Sequence, residues 1–316
     1  MISVLRWGQS AYETDADLGL ERRAAQALGW NWRSFPDAAS VPLWGDTEVL
    51  VITSGVQVSA RILDDFPGRL IVATTSGVDH IDLDACKDRG VRVVRLPEAR
   101  RDAVVEHTLS AMISLMRRLP GLEADASRGV WARSSLPMLA PKGLRGATIA
   151  VVGLGVIGQR MVQVLQGLGA DVVGVDPYAA EGAFPGIERL TLDEAIANAD
   201  AVTLHCALTP SSRGLVDAAR IAAFRDSAVL INTARGEMVD VLAAVAAVES
   251  GRLRGFSTDV FPVEPYPKMA LSQVTGVQLT PHSAGFTSDL GRRVAEGVAR
   301  AFTAWNNGSQ LPHAVV

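Results

Sequence analysis

Three short runs in the last third of the chain carry the side chains best suited to proton and anion chemistry: "INTARGEMVD" (231–240), "STDVFPVEPYP" (257–267) and "LTPHSAGFT" (279–287). Each starts as the end of an apolar, strand-like run, so the residues that follow fall in loops. In open α/β folds ligands bind at the carboxyl ends of the strands, which sets Arg235, Glu264 and His282 facing one cleft. A guanidinium holds a carboxylate in a two-pronged fashion and polarises a neighbouring carbonyl. Histidine titrates near neutrality and can donate or accept a proton. A glutamate beside it favours the imidazolium and fixes the ring. Together the three suit hydride transfer to a 2-keto acid.

Hydride transfer needs a carrier, and "TIAVVGLGVIGQR", from Thr148, supplies a place for one. Gly153, Gly155 and Gly158 stand in G-x-G-x-x-G spacing between a strand and a helix. The first glycine permits the tight turn, the second lets backbone approach a pyrophosphate, and the third lets helix sit on strand. The helix start adds free N–H groups and partial positive charge. Asp176, in "VVGVDPY", ends the next strand about 20 residues on, where a carboxylate accepts from a ribose diol and repels a 2′-phosphate. No arginine follows it directly, so the cofactor is read as NAD, not NADP. No metal is implied.

The elements that must position these groups alternate short apolar runs with amphipathic ones, as in an α/β protein with parallel sheets. Before Pro97, "EVLVIT", "RLIVATT" and "VRVVRL" read as strands, and "DADLGLERRAAQALG" and "HIDLDACKDRG" as helices closed by Gly29 and Gly90. "RDAVVEHTLSAMISLMRRL" reads as a long helix ended by Pro120 and Gly121, followed by a loop-rich arm. A second series then brings six strands ("TIAVVGL", "DVVGVD", "AVTLHC", "AVLINT", "GFSTDV", "VQLT") with helices between them. The last helix, "SDLGRRVAEGVARAFTAWNNG", needs an apolar surface and is expected to pack back on the first sheet. The expected division is therefore 1–98 plus 286–316 as a discontinuous substrate-side domain and 99–285 as the cofactor domain.

Composition narrows the class. Hydrophobic residues make up 48%, charged residues 20%, and the net charge is −4, which gives no electrostatic reason to expect nucleic acid or an anionic membrane. Cys86 and Cys206 are far apart and suggest neither zinc nor a disulfide framework. The first residues lack the apolar run of a signal peptide, and no run of about 18 apolar residues could span a bilayer. The expected location is the cytoplasm.

The full set resembles the D-isomer-specific 2-hydroxyacid dehydrogenase family over nearly the whole length. "GLGVIG", "INTARG", "DVFPVEP" and "TPHSAG" match its motifs in order and spacing, as do "SGVDHID" and "VVEHTLSAM". The resemblance implies a Rossmann-type doubly wound parallel sheet inserted in a second, smaller flavodoxin-like α/β domain. It also implies a homodimer built on the cofactor domain, with a dimerisation arm at about 120–145.

Carried over by position, Arg235 binds the substrate carboxylate and carbonyl oxygen. His282 is acid in reduction and base in oxidation, and Glu264 hydrogen-bonds it and raises its pKa. Asp259 contacts the nicotinamide carboxamide. Thr233, Ala234, Ala284 and Gly285 line the nicotinamide pocket beside Arg235 and His282. Val156 and Ile157 offer backbone amides to the pyrophosphate, and Cys206 ends a strand at the adenine pocket, as a small apolar filler. The amides of Ser76 and Gly77 meet the substrate carboxylate, with Ser54, Thr75 and Arg100 setting specificity. His80, His107 and His205 read as structural, although His80 and His107 border the cleft.

Two departures stand out. Relatives place a small segment where this chain has Glu98, Ala99, Arg100 and Arg101, and Arg100 or Arg101 could bind a second anionic group. Val156 stands where many relatives have arginine. The alternatives are an NAD(H)-sensing, corepressor-like protein, a relative acting on a phosphorylated acid such as erythronate 4-phosphate, and one acting on formate or phosphite. "HSAGFT" and "VVEHTLSAM" also resemble the erythronate-4-phosphate dehydrogenases, whose additional C-terminal domain is not expected here.

Overall fold

The computed structural model describes residues 1–180, 184 and 186–316. Two parallel sheets divide the chain into two units: Met1–Arg100 with Phe286–Val316, and Arg101–Gly285. Strands of parallel sheets are covered on both faces, so they read as unbroken apolar runs. That is what "EVLVIT", "TIAVV" and "AVLIN" are.

The first unit has five strands: β1 (Ser3–Trp7), β2 (Asn31–Phe35), β3 (Thr47–Ile52), β4 (Leu70–Ala73) and β5 (Arg92–Arg95). Their order is β2-β1-β3-β4-β5, all parallel, which is the flavodoxin-like order. The helix Leu290–Asn306 completes this unit. Leu290, Val294, Val298, Ala301 and Phe302 pack with Val4, Val49, Leu70 and Val94 in one core cluster.

The strands β1 and β2 are absent from the sequence reading, for two reasons. β2, "NWRSF", is a half-exposed edge strand with no apolar run. β1 is interrupted by Arg6, which is fully buried. Its guanidinium pairs with Glu13 and, at 3.2 Å, with Glu21, both also buried. Two carboxylates share one cation here. Burial pushes Glu21 from its usual 4.5 up to about 7, against the pull of Arg6 and with a further push from Glu13. Between those pH values the folded protein holds a proton that the unfolded chain has released. Stability therefore declines as pH rises through that interval and levels off above it. Glu21→Gln should flatten the decline, as read from denaturant unfolding at about pH 5 and about pH 7.5. Equal losses in wild type and variant would show that Glu21 is not responsible.

The second unit has seven strands: β6 (Thr148–Val152), β7 (Asp171–Val175), β8 (Glu188–Arg189), β9 (Ala201–Leu204), β10 (Ala228–Asn232), β11 (Leu253–Thr258) and β12 (Val277–Leu279). Their order, β8-β7-β6-β9-β10-β11-β12, is the Rossmann order extended by one strand. The direction of winding reverses between β6 and β9. The two-residue edge strand β8 is too short to give a sequence signal.

The long helix runs Glu98–Met116, so Glu98, Ala99 and Arg100 form its first turn, not a segment before it. Nor do Pro120 and Gly121 end it. It stops at Met116, the chain turns through left-handed Arg118 (φ 56°), and Pro120 sits in the first turn of a second helix, Leu119–Ser127. Proline is tolerated there because first-turn N–H groups have no intrahelical partner. Among the described residues no helix is long and apolar enough to cross a membrane.

Candidate active site

The glycine turn lies at the switch point between β6 and β9. Gly153 has φ +90°, and a Cβ there would come within 2.5 Å of Cys206 N. A Cβ on Gly158 would lie 1.9 Å from Gly153 O. These two glycines are required by close packing. Gly155, the N-cap of the helix Val156–Gly167, faces open space instead. A surface with room for a phosphate thus meets the free amides of Val156 and Ile157. Asp176 closes the other side: its carboxylate accepts from Leu154 N at 2.9 Å and from Tyr178 N at 3.0 Å. One oxygen bound by each amide fixes the carboxylate at the end of β7 and leaves lone pairs for a diol. Burial pushes the Cys206 thiol up to about 11 and His205 down to about 4, so neither is charged at neutral pH. Cys206 fills space against the glycine turn.

The groups suited to proton and anion chemistry, Arg235, Glu264 and His282, lie beyond the ends of three neighbouring strands, β10, β11 and β12. Beyond β10, the buried Asn232 clamps the turn: its Oδ1 accepts from Ala234 N at 3.0 Å and its Nδ2 donates to Arg235 O at 2.9 Å. The Arg235 guanidinium donates to Ala234 O at 2.8 Å. Next, Gly236 lies so close beneath the β11 loop that a Cβ would be 1.9 Å from Phe261 C. This close approach draws the two turns together. Phe261 N donates to Glu264 Oε1 at 3.0 Å, leaving Oε2 for His282 Nδ1 at 2.8 Å. A carboxylate only accepts, so Nδ1 carries the proton and Nε2 faces away from the pair.

His282 has φ 54°, and its N–H donates to Asp259 O at 2.7 Å. The Asp259 carboxylate, 1% exposed, receives Thr280 Oγ1 at 2.6 Å, Ser283 N at 2.8 Å and Ala284 N at 2.8 Å. Asp259 is thus the anchor of the histidine loop. Asn232, Gly236 and this anchoring by Asp259 were missed in the sequence. A glycine directly after the arginine and an amide closing an apolar strand were the available signals.

Residues 109–284 match the family described as D-isomer specific 2-hydroxyacid dehydrogenase, NAD binding domain. The chain belongs to this family. It is 34% identical over 291 residues to D-3-phosphoglycerate dehydrogenase of Mycobacterium tuberculosis, covering 90% of this chain and 54% of that protein. The chain spans about half the length of the first curated relatives it matches. Glyoxylate reductase of Thermofilum pendens is 32% identical over 277 residues, covering 86% of this chain and 81% of that protein. A solved structure of D-lactate dehydrogenase from Aquifex aeolicus complexed with NAD and lactic acid resembles the chain with a TM-score of 0.80. That likeness has 25% identity and covers 97% of this chain and 96% of that one.

In this member of the 2-hydroxyacid dehydrogenase family the remaining candidates fall in the first unit, except Arg101, which begins the second. Ser54 follows β3 and is exposed. Thr75, Ser76 and Gly77 form the turn after β4, with Thr75 Oγ1 on Gly77 O at 2.6 Å and Arg95 Nη1 on Ser76 O at 2.9 Å. Arg100 donates to Thr74 O and to the Tyr12 hydroxyl, and its guanidinium lies 5.4 Å from the Tyr12 ring centroid. Arg101 pairs with Asp102, which also binds Arg160.

Proposed function

We propose that the protein is an NAD-dependent oxidoreductase that interconverts a 2-keto acid and a D-2-hydroxy acid. The observation that carries this reading is the His282 Nδ1–Glu264 Oε2 contact of 2.8 Å, one strand away from the turn that holds Arg235. NAD(H), when bound at the glycine turn, supplies or accepts the hydride at the acid's C2. Arg235 holds the carboxylate in two prongs and draws electron density from the adjoining carbonyl. His282 Nε2 delivers the proton to the carbonyl oxygen in reduction and takes it from the hydroxyl in oxidation. Glu264 fixes the ring and its tautomer. Thr233, Ala234, Ala284 and Gly285 flank these groups as the cofactor-side wall. The carboxylate of Asp176 favours a free ribose diol over a 2′-phosphate. Relatives named for phosphoglycerate, glyoxylate and lactate support small acids of this class.

The test follows NADH absorbance across a panel of 2-keto acids, phosphorylated and not. Turnover with at least one is expected, with NADH preferred to NADPH. Tight NADH binding without turnover of any acid would support a sensor role instead.

We further infer a homodimer through the arm. Within the arm Trp131 is 84% exposed, Met138 83% and Val130 50%. Exposed apolar clusters of this kind mark interaction surfaces. Light scattering should give twice the chain mass for wild type and the single mass for Trp131→Glu/Met138→Glu. A monomeric wild type would refute the assignment.

A further inference from the structure

Two adjacent residues of the helix Glu98–Met116, His107 and Thr108, reach the two catalytic turns separately. Thr108 is fully buried, and its Oγ1 lies 3.1 Å from Thr233 Oγ1, two residues before Arg235. His107 Nε2 lies 3.3 Å from Thr280 Oγ1, two residues before His282. The direction of the second contact follows from proton counting. Thr280 has one hydroxyl proton, and it goes to the Asp259 carboxylate at 2.6 Å, which can only accept. The imidazole must therefore donate, with its proton on Nε2.

The chain His107→Thr280→Asp259 ends on the amides of Ser283 and Ala284, just past His282. Successive helical residues point about 100° apart, so neighbours in sequence can address two separate turns. The same helix meets β12 lower down, where Gln278 Nε2 donates to Ser114 Oγ at 2.8 Å. That contact fixes the helix against the sheet and sets the height of the His107–Thr108 pair.

We propose that His107 and Thr108 are positioning residues. His107 sets the histidine turn and Thr108 sets the arginine turn, and neither touches the reacting atoms. The proposal rests on the reading of Arg235 and His282 as the substrate-binding and proton-transfer groups. Burial makes the Thr108 contact consequential. A hydroxyl as buried as that of Thr108 is costly to leave unpaired, so the pair holds Thr233 at one distance from the helix. A displacement of about 1 Å at a reacting group can cost on the order of a hundredfold in rate. The groups bound by Asp259 and Asn232 hold each turn to itself, whereas His107 and Thr108 hold both turns to a common rigid element.

The experiment compares Thr108→Val and Thr108→Ser, and His107→Leu and His107→Gln, in the full chain. Serine keeps the hydroxyl, and glutamine can place an N–H near the position of Nε2. Thr108→Val and His107→Leu should each lower kcat about 10- to 100-fold. KM should stay close to wild type, the NADH dissociation constant should rise by no more than a few-fold and Tm should fall by no more than a few degrees, and the serine and glutamine variants should recover most of the loss. Amide hydrogen exchange gives a readout independent of turnover. Exchange should quicken across 280–285 in His107→Leu only, and across 233–236 in Thr108→Val only. A wild type that turns over no 2-keto acid would refute the functional reading, and the exchange pattern would still decide the positioning roles. The proposal is overturned if kcat and exchange are unchanged. It is also overturned if NADH affinity falls as far as kcat does, or if the conservative variants are no better than the disruptive ones.

Discussion

His282→Asn should lower kcat by a factor of about 10² to 10⁴ while leaving NADH binding close to wild type. Asparagine is a sharper probe than alanine for two structural reasons. His282 sits at φ 54°, a left-handed conformation that asparagine tolerates better than other non-glycine residues. The asparagine amide can also replace Nδ1–H as the donor to Glu264 Oε2. The loop and its carboxylate partner then remain, and only the outward nitrogen is lost. The measurement is steady-state turnover with the best keto acid from the panel, alongside NADH titration by fluorescence. Near-wild-type kcat would remove His282 from the proton-transfer role.

Arg235→Gln should cost about 3 kcal/mol in transition-state binding, or roughly a hundredfold in kcat/KM. The loss should divide between a raised KM and a lowered kcat, because the guanidinium is read as binding the carboxylate in both states and the carbonyl oxygen more strongly as charge develops. Arg235→Lys should recover little, since a point charge cannot reproduce a planar two-pronged contact. The backbone of the turn should survive either change. Asn232 grips Ala234 N and Arg235 O, not the side chain. An unchanged kcat/KM for the glutamine variant would place the carboxylate elsewhere.

Much of the second sheet was legible because its strands are apolar runs separated by turn residues. The glycine turn and its acid were legible because each residue type has one physical reason to be there. The pairing of Glu264 with His282 was readable from chemistry alone: a carboxylate and an imidazole on neighbouring loops belong together. What was not legible depends on distances between strands. Nothing local says that Gly236 must lie under Phe261, or that Asn232 bridges a turn with both ends of its amide. The family resemblance makes Asp259 a cofactor contact. In the structure its carboxylate is engaged by the loop that carries His282. Arg100 reads as an unusual charge, and the structure gives it the Tyr12 hydroxyl and the Thr74 carbonyl as partners. In β1 the charged Arg6 hid a strand, because its counter-ions come from residues 13 and 21 and were not visible in a window of five.

The core of the first unit borrows Leu290, Val294, Val298 and Phe302 from the last helix. This sets an order on the ribosome. The core clusters of the second unit, around Phe256 and around Ile149, are built from its own residues, and domains fold as units as they emerge. The first sheet must wait, with one face covered only in part by the helix Asp15–Ala27, until the helix Leu290–Asn306 arrives. The first unit therefore finishes folding after the second, although most of it is made before, and it stays exposed to chaperones and proteases for longer during synthesis.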